Sequence, residues 1–311
     1  MAIKSIHPEE SFAQCGRLLR HWRGSALKTE TTLHQLSPYI GKIKSSMAAS
    51  LITQFTHKGE LIYDPFSGSG TVALEAWLAR RRVIANDLSP YAALLSKAKL
   101  SPYHSTEEAF DDIKRASKEV THSIGQIDLR FVPKWVRQFF HPETLRETLA
   151  WVAVLKKRRK DFLLSCLLGI LHHQRPGFLS YPSSHTVPYL RLKRFPRNRF
   201  PKLYDYRSVR DRLEAKVKRA LKRKPGLDFS LFRRCYSKDA ASFIPDSQVD
   251  AIVTSPPYMR QLDYGRDNRL RLWFLGKHDW KKLDESISPS ESVFFQMMRC
   301  CLKQWKSVIK H

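Results

Sequence analysis

Asp64-Pro65-Phe66-Ser67-Gly68-Ser69-Gly70-Thr71 is the stretch on which the fold turns. The apolar run 61–63 ends at the acid, and a turn-rich string of small residues follows. Helical spacing then resumes through Val72, Leu74, Ala76, Trp77 and Leu78, with Arg80, Arg81 and Arg82 supplying cations near the helix end. A second apolar run, 83–85, ends at Asn86-Asp87, and a further helical stretch covers 91–99. Strand, glycine loop, helix, strand, acid is the opening of a doubly wound α/β domain. Small residues between strand and helix let a ligand approach the backbone without meeting a Cβ. A tight structural turn would use the same residue types, but the length of the string and its position favour a cofactor. The lysine of a phosphate-binding loop is absent, and Thr71 runs straight into an apolar helix.

Working outward, Asp87 stands where dinucleotide folds place an acid against two ribose hydroxyls; an N-cap for the next helix is the plainer alternative. Asp239, in Ser237-Lys238-Asp239-Ala240, follows a third candidate strand at 232–236. A fourth, 249–253, leads into Thr254-Ser255-Pro256-Pro257-Tyr258. Two consecutive prolines forbid helix and carry no N–H, so the carbonyls of Ser255 and Pro256 are free to accept hydrogen bonds. An amino group is a donor that such a rigid pair can hold. The Tyr258 ring offers a face for a base taken out of its duplex.

With both strings in view, the chain resembles the S-adenosyl-L-methionine-dependent DNA amino-methyltransferases, the cofactor motif first and a serine-type S-P-P-Y motif later. The resemblance covers about residues 34–99 and 232–276. It implies a Rossmann-like methyltransferase sheet and a cofactor held by Asp64, Pro65, Phe66, Ser67, Gly68, Ser69, Gly70, Thr71 and Asp87, with Asp239 meeting the adenine amino group. It implies a catalytic role for Ser255, Pro256, Pro257 and Tyr258. In that family the serine form goes with cytosine N4, and forms beginning with Asn or Asp go with adenine N6. Residues 263–264 and 270–276 look like the segment after the catalytic loop, and 34–42 is loosely similar to the region packed on the methionine end of the cofactor. About three more strands follow the catalytic one in the family, whereas here a helical stretch at 291–305 is followed by His311. A fragment of a longer enzyme, strands supplied by a second chain, and an inactive remnant that only binds nucleic acid all remain open.

Charge points to the partner. The 311 residues hold 55 Lys and Arg against 29 Asp and Glu, a net +26, which suits a polyanion, and the family resemblance makes that polyanion DNA. Candidate helices at 107–123, 142–157, 161–172 and 209–222 form a basic insertion, dividing the chain into 1–105, 106–228 and 229–311. Between 151 and 224 stand 21 Lys and Arg against four acids. The stretch 175–208 carries prolines at 176, 182, 188, 196 and 201 and reads as an ordered loop. It interleaves Arg191, Lys193, Arg194, Arg197 and Arg199 with Tyr181, Tyr189, Phe195 and Phe200, and also holds Ser180, Ser183, Ser184 and His185. Cations suit phosphates and polar side chains suit base edges, so this loop is the expected target-recognition element.

Other chemistries fit less well. No apolar run approaches the ~18 residues of a membrane span, and residues 1–10 carry Glu9 and Glu10 with no apolar core, so a cytoplasmic protein is expected. None of the five cysteines makes a C-x-x-C pair. None follows a proline, which argues against the nucleophile of carbon-5 cytosine methylation. His172 and His173 are adjacent rather than four apart, and no metal is expected. An amino-methyltransferase of structured RNA is the nearest alternative enzyme, and a cognate restriction endonuclease is a candidate partner.

Overall fold

The computed structural model describes residues 30–173, 178–184, 187–258, 262–287 and 290–310. After α1 (Ser45–Phe55), four parallel strands form one sheet: β1 (Leu61–Asp64), β2 (Arg82–Asn86), β3 (Arg233–Tyr236) and β4 (Ala251–Ile252), in the order β3-β2-β1-β4. Every residue of β1 is buried, as expected of a strand covered on both faces. Tyr63 lies opposite Ile84 on one side and Ile252 on the other. From β1 the sheet grows one way to β2 and β3, and β4 is laid on the opposite side. This reversal opens a crevice beyond the carboxyl ends of β1 and β4.

The crossovers follow from local sequence. α2 (Thr71–Leu78) starts at Gly70, whose left-handed backbone (φ 72°) turns the chain sharply out of the strand. Arg81 closes its other end by donating to the Ala79 carbonyl, and its Nε reaches the Thr56 hydroxyl at 3.0 Å. α3 (Pro90–Leu100) begins with proline in its first turn, where a missing N–H costs nothing.

The insertion is helical as the periodicity predicts: α4 (Thr106–Ser123), α5 (Lys134–Arg137), α6 (Pro142–Lys157), α7 (Asp161–Gly169) and α8 (Val209–Leu221). α4 opens with a capping box, Ser105 accepting from the Glu108 N–H and Glu108 accepting from the His104 N–H. α7 ends at 169 rather than the expected 172. There the Leu36 carbonyl crosses so close that any side chain at Gly169 would collide with it, and the carbonyls of Ile170 and Leu171 turn away to accept from Leu179 and Ser180. The insertion does not stand apart from the sheet. One apolar cluster runs through Leu33, Ile62, Trp77, Leu95, Trp151, Leu167, Val217 and Phe274, and Thr32 Oγ1 donates to the Ala220 carbonyl at 2.7 Å.

After β4 come α9 (Tyr264–Asp267), α10 (Arg269–Phe274), α11 (Trp280–Ile287) and α12 (Glu291–Val308). α12 returns the chain to the free edge of β4, where the Val249 N–H donates to Val308 and the Lys310 N–H to Val249, the start of a further parallel pairing. Among the described residues no helix is long and apolar enough to cross a membrane, and no group of three His, Cys, Asp or Glu is placed to hold a metal.

Candidate active site

A cavity of about 520 Å³ occupies the crevice at the strand ends. Each strand contributes to its wall: Asp64 and Phe66 from β1, Asp87 from β2, Asp239 after β3, Ser255 and Pro257 after β4. Ser67, Gly68, Ser69 and Thr71 of the glycine turn complete that side. Gly70, expected on the wall, is not there. Its missing Cβ would lie 2.7 Å from Ser96 Cα, so this glycine lets the turn back against α3 while its neighbours face the cavity. Pro65, Pro256 and Tyr258 also lie off the wall.

Two side chains, Asn86 buried and Thr254 half-buried, hold the strand ends together. Asn86, the polar end of an otherwise apolar strand, donates to the carbonyls of Pro65 (3.3 Å) and Lys238 (3.0 Å) and accepts from the Lys238 N–H (3.0 Å). Thr254 donates to Asp64 Oδ1 at 2.7 Å and accepts from the Phe66 N–H at 3.3 Å, tying the proline loop to the glycine turn. Asp87 accepts the Gly68 N–H at 2.7 Å on one oxygen and the Ser89 N–H at 2.8 Å on the other. Each oxygen keeps a further lone pair. The N-cap position of α3 is taken by Ser89, and Asp87 holds the Ser89 N–H from two positions upstream without capping the helix.

Burial makes these acids unusual. It pushes Asp64 up to about 7, with Asp87 adding repulsion and the Thr254 hydroxyl opposing it. It pushes Asp87 up to about 6 against the two backbone donors. A ligand group that donates to either carboxylate favours its ionised form.

The proline loop has no regular secondary structure, and among the described residues no backbone N–H is recorded as donating to the carbonyls of Ser255 and Pro256. Tyr258 is 43% exposed at the mouth. Its backbone is hydrogen-bonded to the Tyr264 hydroxyl, which burial pushes up to about 12. Tyr264 in turn forms part of the wall beside Tyr39, with ring centroids 6.2 Å apart. The outer wall comes from α11 and α12 through Glu285, Val293, Gln296, Met297 and Cys300. Sequence reading gave no role to these residues, to Thr254 or to Asn86; only the polar end of a strand marked Asn86 in advance.

Comparisons with known proteins bear on the family resemblance. A family model described as DNA methylase, for N6 and N4 methyltransferases, matches residues 18–98. The Type II methyltransferase M.BsoBI of Geobacillus stearothermophilus is 26% identical over 310 residues, covering 91% of this chain and 59% of its own length. The Type II methyltransferase M.MjaII of Methanocaldococcus jannaschii is 25% identical over 122 residues, 37% of this chain and 23% of its own. Over the matched residues the chain is similar to DNA amino-methyltransferases. It spans 59% of the first of these relatives and 23% of the second. No solved structure matches it.

The basic stretch divides into exposed and built-in cations. Lys193, Arg194 and Arg199 are exposed, while Arg191 is half-buried. Arg191 and Arg194 approach the Phe195 ring, and Arg197 lies over both Tyr181 (5.2 Å) and Tyr204 (4.7 Å). Arg207 is buried and donates to the carbonyls of Phe178, Ser180 and Leu203, closing the stretch on itself. Tyr181 is buried, so the interleaved aromatic residues serve partly as a floor for cations. Tyr189 and Phe200 remain exposed. Arg269 of α10 donates to the Pro188 carbonyl at 2.6 Å, joining the stretch to the segment that carries Tyr264. His185 lies outside the described residues.

Proposed function

We propose that this chain transfers a methyl group from S-adenosyl-L-methionine to the exocyclic amino group of a DNA base, cytosine N4. The observation that carries the reading is the shared cavity: the acceptor loop at Ser255 and Pro257 faces the same space as the glycine turn, Asp64 and Asp87. Asp87 would accept from ribose hydroxyls and Asp239 from the adenine amino group, with the backbone of 67–69 against the cofactor. When bound, the cofactor supplies an electrophilic methyl group. The carbonyls of Ser255 and Pro256 accept from the target amino group and so turn its lone pair inward, and the exposed Tyr258 ring stacks on the extruded base. Such orientation lowers a barrier by ~7 kcal/mol or more. Serine at 255, in the motif position that the family resemblance associates with cytosine, supports the N4 choice.

Arg191, Lys193, Arg194, Arg197 and Arg199 are proposed to hold DNA phosphates, which places target recognition in the insertion. The test is incubation of the chain with labelled cofactor and with DNA or RNA, followed by digestion to nucleosides. N4-methylcytosine is expected; N6-methyladenine would move the assignment to the other base. Label only in RNA, or none despite bound cofactor, would refute the proposal.

A further inference from the structure

A second cavity, of about 870 Å³, shares no lining residue with the crevice at the strand ends. It is a groove between the corner that joins α5 to α6, which contributes Arg137 and His141, and the basic stretch, which contributes Leu192 and Arg197. Its volume is that of a small-ligand site. Resting on the DNA reading above, we propose that this groove holds one nucleotide of a DNA strand outside its base stack, the base against the Leu192 and Arg197 side and the phosphate on Arg137.

The two sides of the groove are fixed to each other. The Tyr181 N–H donates to the Phe139 carbonyl at 2.6 Å, and the Thr144 hydroxyl of α6 donates to the Arg207 carbonyl at 3.0 Å and accepts from the Arg207 N–H at 2.9 Å. Buried Tyr181 and Tyr204 line the groove with ring centroids 5.0 Å apart, and the exposed Arg197 guanidinium lies over both. A guanidinium is planar, and unstacked bases lie on such planes as they do on aromatic rings. Leu192, 49% exposed on the same wall, is an apolar surface that a base would cover.

The cations of the groove are available to an anion. Nearby in sequence, Arg146 and Arg210 are paired with Glu143 and Glu214, whereas among the described residues no carboxylate is paired with Arg137 or Arg197. His141 caps α6 by accepting the Glu143 N–H on Nδ1 at 3.3 Å, so the neutral imidazole carries its hydrogen on Nε2 and adds a donor. These donors suit a phosphate. Gln138 and Asp205, the one acid on the wall, supply acceptors, for which a phosphate has no use and the amino group of a base does. Exposed Lys193, Arg194 and Arg199 continue the positive charge along the stretch from Leu192 and Arg197, which favours a strand with further phosphates over a free nucleotide.

The test is anisotropy titration of the 311-residue chain carrying Tyr258→Ala, so that stacking at the mouth of the crevice does not contribute. Two probes are compared, a short deoxycytidine oligonucleotide and an abasic strand with the same number of phosphates. The base-bearing strand should bind ~5- to 100-fold more tightly, the worth of one stacked base. Adding Leu192→Ser and Arg197→Gln together should abolish that preference, and Leu192→Ser alone, at an exposed position, should reduce it. Arg137→Gln should weaken both strands by the same factor. Equal weakening of both strands by the Leu192→Ser and Arg197→Gln pair would make the groove a phosphate surface only and overturn the inference. So would equal binding of the two strands by the starting chain, or tighter binding of free deoxycytidine monophosphate than of the oligonucleotide. If the chain without any substitution binds neither single- nor double-stranded DNA, the DNA reading itself fails and takes this inference with it.

Discussion

The crevice at the strand ends and the basic stretch between α7 and α8 hold their charges in opposite ways. In the crevice Asp64 is buried and Asp87 half-buried, both carboxylates are held by hydrogen bonds, and their protonation is displaced toward neutral pH. In the basic stretch Lys193, Arg194 and Arg199 stand in solvent. Buried charges act at contact distance and are little screened by salt, whereas exposed ones act over about a Debye length and fade as salt rises. The first region suits a small ligand of fixed shape and the second a polyanion whose phosphates repeat. Each of the following changes touches one region and should leave the other unmoved.

The largest effect is expected from replacing Arg191, Lys193, Arg194 and Arg199 together by Gln. DNA affinity should fall ~100- to 1,000-fold at moderate salt, and the slope of log affinity against log salt should become shallower by ~3. Cofactor affinity and thermal stability should hold. An unchanged salt slope would show that phosphates are met elsewhere.

In the crevice, Asn86→Ala removes three hydrogen bonds and takes away this partner from the buried Pro65 carbonyl and from the part-buried backbone groups of Lys238. A stability loss of ~2–4 kcal/mol is expected in urea unfolding, with DNA salt dependence untouched. A loss below ~1 kcal/mol would mean that the strand ends hold together without this residue. At the mouth, Tyr258→Ala should cost ~1–3 kcal/mol in methyl transfer while cofactor affinity survives, and Phe should restore most of the rate. If cofactor binding is what disappears, the proline loop holds the cofactor and not the base.

These cases mark where sequence reading succeeds and where it stops. The apolar runs at 61–63 and 83–85, the glycine turn and the helices of the insertion are short-range features, and periodicity and turn chemistry expose them directly. The outer wall from α12 and the Asn86 staple depend on contacts across long stretches of chain; Asn86 and Lys238 are 152 positions apart. Gly70 shows a subtler failure. A glycine string announces that backbone must come close to something, but not whether that something is a ligand or, as at Ser96, another helix.

A smaller effect, and one with a sign, concerns pH. Asp64 and Asp87 have folded-state values of about 7 and about 6, above the ordinary carboxylate range. The folded chain therefore binds more protons than the unfolded one between about pH 4 and pH 7. Their contribution to stability is complete below the unfolded value and is lost as pH rises through the folded ones. Asp64→Asn should remove on the order of 2 kcal/mol of that decline between pH 5 and pH 8, read as the difference in urea stability between variant and wild type. Ligand-free stability and cofactor affinity should then move oppositely, because a cofactor that donates to Asp87 prefers the ionised carboxylate and binds more weakly below about pH 6. A parallel fall of both would place the proton elsewhere.

The smallest effect tests the boundary between the two regions. Arg197 is exposed like its neighbours, yet its guanidinium lies over Tyr181 and Tyr204, so it belongs partly to the fold. Arg197→Ala should lower stability by ~1 kcal/mol, the worth of an exposed cation on aromatic rings, where Arg194→Ala should cost less than ~0.5. Arg197→Lys keeps the charge but loses the flat guanidinium, so it should recover the salt dependence of DNA binding more fully than the stability. Were Arg197 and Arg194 equal in both measurements, the rings beneath Arg197 would contribute nothing. The basic stretch would then be a loose charged surface, and its contrast with the crevice would be one of burial alone.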